Sequence, residues 1–422
     1  MTTASRTSAA RAADERPAHR DGNVLRWLGA YASSMAGDGV YYVALSWAAV
    51  QAGTPAQAGL VLSVSALPRA VLMLGGGVLA DRFGPRRVVI ASDAVRCAAV
   101  LAVAALLFLT GPSLWPLTVL ALVFGTVDAV FVPAVGALPA RIADRGQLAR
   151  VQGMRGLAYR FAVIVGAPLG GLGVAVGGAA AAFGLAGLLT ALSLPLLLRV
   201  RMRDLPPDDA ADDTPDARGR TARADLVAGL RHIRRHPVLA PLTVAIALGD
   251  LGFVGPLNVG LTLLADERGW GASGMGWVLS GFGAGAGAAS LLLALRGRLP
   301  HAGRVAGWSL LAGSPAIGAL AFAPALAAAV GTAVLIGLLA GLSGAVCAAL
   351  LQTQADPAYL GRVTAVASLV SLGLTPLSMP LSAAAVGVWG TGPVFVVSAG
   401  VCGLGGIVAL AVPALRRAEL PR

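Results

Sequence analysis

The chain has 422 residues, 57% of them hydrophobic and only 12% charged, with a formal net charge of +12. So little charge cannot cover a soluble domain of this size, so lipid is its main solvent. All 32 basic residues are arginine; without lysine there is no GxxxxGK[ST] phosphate loop and no Schiff-base site, which excludes ATP hydrolysis by that route and retinal or pyridoxal chemistry. Cys97, Cys347 and Cys402 fall in apolar runs and read as small core residues. His19, His232, His236 and His301 sit in polar segments, which leaves neither a His-ligated metal nor a Ser/His hydrolase at membrane depth. No cofactor, ATP or nucleic-acid partner is expected.

Residues 1–23 are polar and Arg-rich, and read as a disordered cytoplasmic tail rather than a cleaved signal peptide. A helix crosses the hydrocarbon with roughly 20 apolar residues. Twelve stretches qualify: about 24–50, 58–80, 88–109, 115–138, 151–176, 179–198, 238–264, 273–295, 305–322, 325–351, 363–389 and 391–413. Gly177-Gly178 and Phe322-Ala323-Pro324 mark two weak breaks. The expectation is an all-α membrane protein of twelve transmembrane helices in two six-helix bundles, 24–198 and 238–413. A cytoplasmic linker, 199–237, joins them, and 414–422 is a cytoplasmic tail. With both termini inside, 27 arginines fall on the cytoplasmic side, Arg26 at the inner edge of the first stretch among them, with Arg268 outside and Arg69, Arg96, Arg155 and Arg160 deeper within spans. That asymmetry follows the positive-inside rule and places a multi-pass protein in the cell membrane. In the linker, Leu226, Leu230 and Ile233 share a helical face opposite arginines, which predicts a short helix on the inner leaflet held by anionic lipid.

Between the second and third stretches lies GGGVLADRFGPRR, residues 75–87. Gly84-Pro85 forces a tight turn, and the preceding glycines allow close helix approach. Asp81 can accept hydrogen bonds from another helix's first amides or pair with an arginine, forming a latch that opens when the halves rock. A solvated turn explains the arginines equally well, but not the acid. On Gly77, Leu79, Asp81, Arg82, Gly84, Arg86 and Arg87, the chain resembles the major facilitator superfamily, whose signature loop runs Gly-x-Leu-Ala-Asp-Arg-x-Gly-Arg-Arg. Pro85 stands where the first arginine after the glycine is usual.

The stretches RWLGAYASSMAGDGVYYVALSW, VFVPAVGALPARIADRGQLARVQGM and LLQTQADPAYLGRVTAVASLVSLGLTPLS are similar to the macrolide-efflux-like branch of drug:proton antiporters in that superfamily. In the fifth stretch, Gly166, Pro168, Gly170 and Gly171 approximate the antiporter signature Gly-Pro-x-x-Gly-Gly, with proline one residue late. The resemblance implies alternating access by a monomer.

Eight charged residues fall within spans: Asp38, Arg69, Asp93, Arg96, Asp128, Arg155, Arg160 and Asp250. Each costs about 2.5–3.5 kcal/mol at mid-membrane on insertion scales, so they should face a cavity or each other. Asp93 and Arg96, three apart, can pair beside the latch. Asp38 and Asp250 lie at comparable depth in the first helices of the two halves, where transporters with repeats place their substrate sites. They lead the candidates for proton coupling or substrate binding, followed by Asp128, Arg160, Arg69 and Asn258. Each could instead serve a structural hydrogen bond or ion pair. The function expected is a secondary active exporter of a small amphipathic or cationic organic molecule, driven by protons. A uniporter or proton-coupled importer of a metabolite is the alternative, and a membrane subunit of an ATP-driven transporter a remote one.

Overall fold

The computed structural model describes residues 19–111, 113–143, 147–202, 222–296, 301–356 and 359–420. The N-terminal tail and most of the linker's charged first part therefore lie outside the described residues. Helix α1 spans Gly22–Ala52, α2 Pro55–Phe83, α3 Pro85–Thr110 and α4 Leu114–Ile142. The helical stretch Leu148–Leu198 breaks at Gly177 and Gly178, the latter at φ 69°, so it comprises α5 (148–176) and α6 (179–198). The short α7 is Ala222–Arg235. Helix α8 runs Leu239–Glu267 with a π turn at Pro256–Gly260. Then come α9 Gly271–Arg296, α10 Ala302–Leu320, α11 Leu326–Gln354, α12 Leu360–Trp389, α13 Thr391–Ala411 and the short α14 Pro413–Arg416. Each of the twelve apolar stretches read from the sequence contains one long helix, and the described residues include no strand. Among the described residues, length and apolar composition alone qualify eight helical stretches to cross a membrane, 150–198 among them.

Local chemistry sets the joints. Asp21 caps α1 by accepting from the Asn23 amide at 2.8 Å. Thr54 and Gln57 form a capping box at the start of α2, with Pro55 in its first turn. The turn between α2 and α3 shrinks to one residue, Gly84 at φ 84°, with Pro85 beginning the next helix. Arg268 caps the far end of α10 by donating to the Ala321 and Ala323 carbonyls at 2.6 and 3.3 Å.

Helix pairing repeats between the halves. α2 packs on α4 as α9 packs on α11; α3 lies against α6 as α10 lies against α13. α1 contacts α6 as α8 contacts α13. The two six-helix bundles meet along two symmetric seams, α5 with α9 and α12 with α2. In the first seam Ser280 Oγ donates to the Ile164 carbonyl. There a Cβ on Gly171 would lie 2.5 Å from the Ala272 carbonyl oxygen, and one on Gly276 2.5 Å from that of Ala167. At the arginine-rich end of α5, a Cβ on Gly153 or Gly156 would meet nothing within 4 Å. Gln51 adds a bridge on the far face, donating to Asp266 at 3.0 Å. The bundles thus close on the far face.

Gly171→Leu forces these backbones apart. It is expected to cost about 1–3 kcal/mol by overpacking, read as a lower thermal midpoint in detergent, while Gly156→Leu at the open end leaves the midpoint near wild type.

Candidate functional site

The sequence places an ionisable residue near the middle of each of the first four helices, and the fold brings them together. Arg96 of α3 is the hub, fully buried at 0% exposure. Its guanidinium reaches Asp38 of α1 at 3.2 Å, Asp93 one turn earlier at 3.7 Å, and Asp128 of α4. Its face lies over the Phe131 ring, 3.9 Å from the centroid, which adds cation–π attraction in a dry setting. Arg69 of α2 pairs with the other Asp128 oxygen and donates to the Tyr42 hydroxyl at 2.9 Å. Asp93 also accepts from Ser34 at 2.9 Å and Ser193 at 2.5 Å, which ties in α6. Three carboxylates face two guanidinium groups, an excess of one negative charge when all are ionised.

Burial makes the pairing obligatory: an uncompensated charge here would bear its whole desolvation penalty. The network is not fully satisfied. The Nε atoms of Arg69 and Arg96 and the Tyr41 hydroxyl are buried without a hydrogen-bond partner. Tyr41 stacks on Phe124 with ring centroids 3.6 Å apart and closes the network's far side.

A second site lies in the other bundle. A cavity of about 350 Å³ is bordered by Asp250 and Phe253 of α8, Phe282 of α9, Ser309 of α10, Ser343 of α11 and, across the seam, Arg160 of α5. Asp250 accepts from Ser371 of α12 at 2.5 Å. Among the described residues no ion pair within 4 Å includes Arg160 or Asp250. The cavity therefore carries one acid and one base on opposing bundles, set in mainly apolar walls, which suits an amphipathic occupant.

The remaining sequence candidates fall elsewhere. Asp93 and Arg96 lie within the buried network, one turn or more inside the membrane from the α2–α3 joint. Asn258 sits in the π turn and donates to the Val254 carbonyl of its own helix at 2.8 Å. Arg82 lies over the Phe83 ring at 5.7 Å. Arg86 leaves its own joint and donates to the Leu197 and Leu198 carbonyls at the end of α6, at 3.3 and 2.7 Å. Arg87 is exposed beside it. The α2 backbone runs through Gly77 and Asp81, but the Asp81 side chain lies outside the described residues. In α5, Gly166 and Gly170 let α1 approach: their Cβ positions fall 3.2 Å from Gly39 Cα and 3.1 Å from Val40 Cα. Pro168 lies between them and Gly171 faces α9. Ser34, Ser193 and Ser371 are partners that sequence reasoning missed. Common helix residues carry no motif, and only shared depth with a charged residue could have marked them.

This constellation, with its repeat-related bundles and a cavity at their seam, fits a membrane transporter. The family model described as Major Facilitator Superfamily matches residues 27–271, more than half the chain. The chain belongs to the major facilitator superfamily. Over 310 residues it is 28% identical to the enterobactin exporter EntS of Shigella boydii serotype 18, spanning 73% of this chain and 71% of that protein. The same-named protein of Escherichia coli O9:H4 matches to the same extent. Among solved structures, the nucleoside transporter NupG superposes with a TM-score of 0.71 at 12% identity, covering 93% of this chain and all of that one. A bacterial homologue of the human lysosomal transporter Spinster, in an inward-facing and unoccupied conformation, reaches 0.64 at 15% identity, covering 96% and 97%. At these identities the two structures establish the fold alone.

Removing the hub tests the electrostatics. Arg96→Leu leaves three buried carboxylates facing Arg69 alone and is expected to cost about 3–5 kcal/mol, the usual penalty for breaking a buried pair. Adding Asp93→Asn and Asp128→Asn should return a large part of that loss, a non-additivity measured by thermal unfolding in detergent.

Proposed function

We propose that the chain is a secondary active exporter of small amphipathic or cationic organic molecules, driven by proton antiport through alternating access. The observation that carries this reading is the charge imbalance of the first bundle, with three buried carboxylates held by two arginines. One proton on this cluster removes its net charge, and one proton lost restores it, so protonation changes how strongly α1, α2, α3 and α4 hold together. Asp38 is the carboxylate of the cluster with the greatest exposure, its side chain 16% accessible against 1% for Asp93 and 8% for Asp128. It is the group we assign to proton exchange. Asp250 and Arg160, which border the cavity from opposite bundles, are assigned to the cargo. Asp250 offers a counter-charge to a cationic group, and Phe253 and Phe282 an apolar surface.

The direction of transport is taken from the relatives named as enterobactin exporters, and drug-like cargo from the resemblance to the macrolide-efflux-like branch. Arginine asymmetry supports an orientation with both termini and the linker cytoplasmic in the cell membrane. On that orientation the far-face seam contacts support an inward-open conformation. The chain is assigned to work as a monomer, because one copy brings both Asp250 and Arg160 to the cavity.

Everted vesicles containing the chain, energised to an acidic interior and offered a panel of fluorescent amphipathic cations, should accumulate at least one of them. A protonophore should abolish that accumulation. Asp38→Asn is expected to lower uphill accumulation at least tenfold while retaining downhill exchange, and Asp250→Asn to raise the KM for the cation with coupling preserved. Accumulation indifferent to the protonophore, or full uphill transport by Asp38→Asn, would refute proton antiport through this cluster.

A further inference from the structure

At the arginine-rich end of the first bundle, Arg26, Arg86, Arg199 and Arg201 line a single cavity of about 770 Å³ between the start of α1, the start of α3 and the end of α6. The backbone there is fixed. Asn23 donates to the Arg201 carbonyl at 2.8 Å and accepts from the Arg201 amide at 2.7 Å, which pins the chain leaving α6 to the first turn of α1. Arg86 spans the same gap from α3 through its two bonds to the Leu197 and Leu198 carbonyls. Asp21, the acid at this end of α1, is engaged in capping the helix. Among the described residues no carboxylate lies within 4 Å of any of the four guanidinium groups. They form a concentrated positive charge that nothing else described here compensates.

Two further features say what kind of anion fits. Guanidinium groups match the bidentate geometry of phosphate oxygens. Leu198, which lines the cavity, is 60% exposed, and Leu25 next to Arg26 is 46% exposed, so the cationic cavity borders on apolar surface at the end of a membrane helix. A soluble phosphate has no use for that apolar edge, whereas an acyl chain does. Basic pockets between transmembrane helices on the cytoplasmic side are a recurrent way of holding lipid headgroups.

We propose that this cavity binds the phosphate headgroup of an anionic phospholipid, with Arg26, Arg199 and Arg201 holding the phosphate and its acyl chains along Leu25 and Leu198. Its assignment to the inner leaflet rests on the orientation proposed above; the binding itself does not. The lipid braces α1, α3 and α6 at the end of the bundle where the Arg86 bonds cross, so its occupancy raises the stability of the first bundle.

The experiment uses the full chain purified in detergent, with native mass spectrometry counting bound lipid and a thermal melt reading stability. Phosphatidylglycerol, phosphatidylcholine and inorganic phosphate are added in separate arms. Wild type should retain phosphatidylglycerol and gain thermal midpoint from it, and neither phosphatidylcholine nor inorganic phosphate should do so. The triple variant Arg26→Gln, Arg199→Gln, Arg201→Gln should bind phosphatidylglycerol at least tenfold more weakly, and the corresponding triple lysine variant should fall between it and wild type, keeping the charge but losing the bidentate contacts. The matched change of Arg231, Arg234 and Arg235 to Gln on α7 controls for general surface charge and should leave the tight binding in place. Equal binding by wild type and the glutamine triple would overturn the proposal. A response to inorganic phosphate as large as that to phosphatidylglycerol would make this a soluble-anion site and overturn it likewise. None of these readouts uses transport, so their failure is separate from failure of the antiport reading.

Discussion

A fully buried arginine among three aspartates is the constraint on which the first bundle depends. In a low-dielectric interior an isolated guanidinium is intolerable, and so is an isolated carboxylate, so Arg96 and Asp38, Asp93 and Asp128 hold one another in place. The pairing fixes α1, α3 and α4 at one depth, and Arg69 with Tyr42 extends it to α2. Such a cluster adds little to stability compared with apolar packing of the same volume. On the antiport reading proposed above, its use is that its strength depends on proton count, because acids outnumber bases by one.

The second bundle has the opposite character. Its mid-span acid, Asp250, has a serine partner and a cavity beside it. Charge is therefore concentrated in one half and open volume in the other, with Arg160 of α5 projecting from the charged half to the cavity's edge. The seam between α5 and α9 carries the close glycine contacts that hold the far face shut. The same seam borders the cavity, through Arg160 of α5 and Phe282 of α9.

Much of this was legible in the sequence, for physical reasons. Helix positions follow from hydropathy, which is set by the thickness of the hydrocarbon and needs no tertiary information. The breaks at Gly177-Gly178 and Gly84-Pro85 follow from backbone chemistry that few other residues permit. That intramembrane charges must be compensated was also readable, and so was the prominence of Asp38, Asp128 and Asp250. The Asp93–Arg96 pair within α3 was readable from its spacing; what sequence could not supply was partnership between helices. Asp93 and Arg96 are close in the chain to the conspicuous turn at 75–87, so they read as support for the latch. In the fold, α3 carries them away from that turn towards α1 and α4. Partnership across helices depends on rotation about each helix axis, which weak amphipathicity in lipid-facing helices leaves unspecified. For the same reason Ser34, Ser193 and Ser371 were invisible: a serine in such a helix normally bonds its own backbone, and only the packed structure shows which ones face an aspartate.

The most direct measurement is an infrared difference spectrum between cargo-free and cargo-loaded protein at fixed pH, recorded for wild type and for Asp38→Asn. If a proton on the buried cluster is exchanged for cargo, wild type loses a protonated-carboxyl band on loading, and that loss is missing from the Asp38→Asn spectrum. A wild-type spectrum with no change in carboxyl protonation, or the same band change in both proteins, would contradict it.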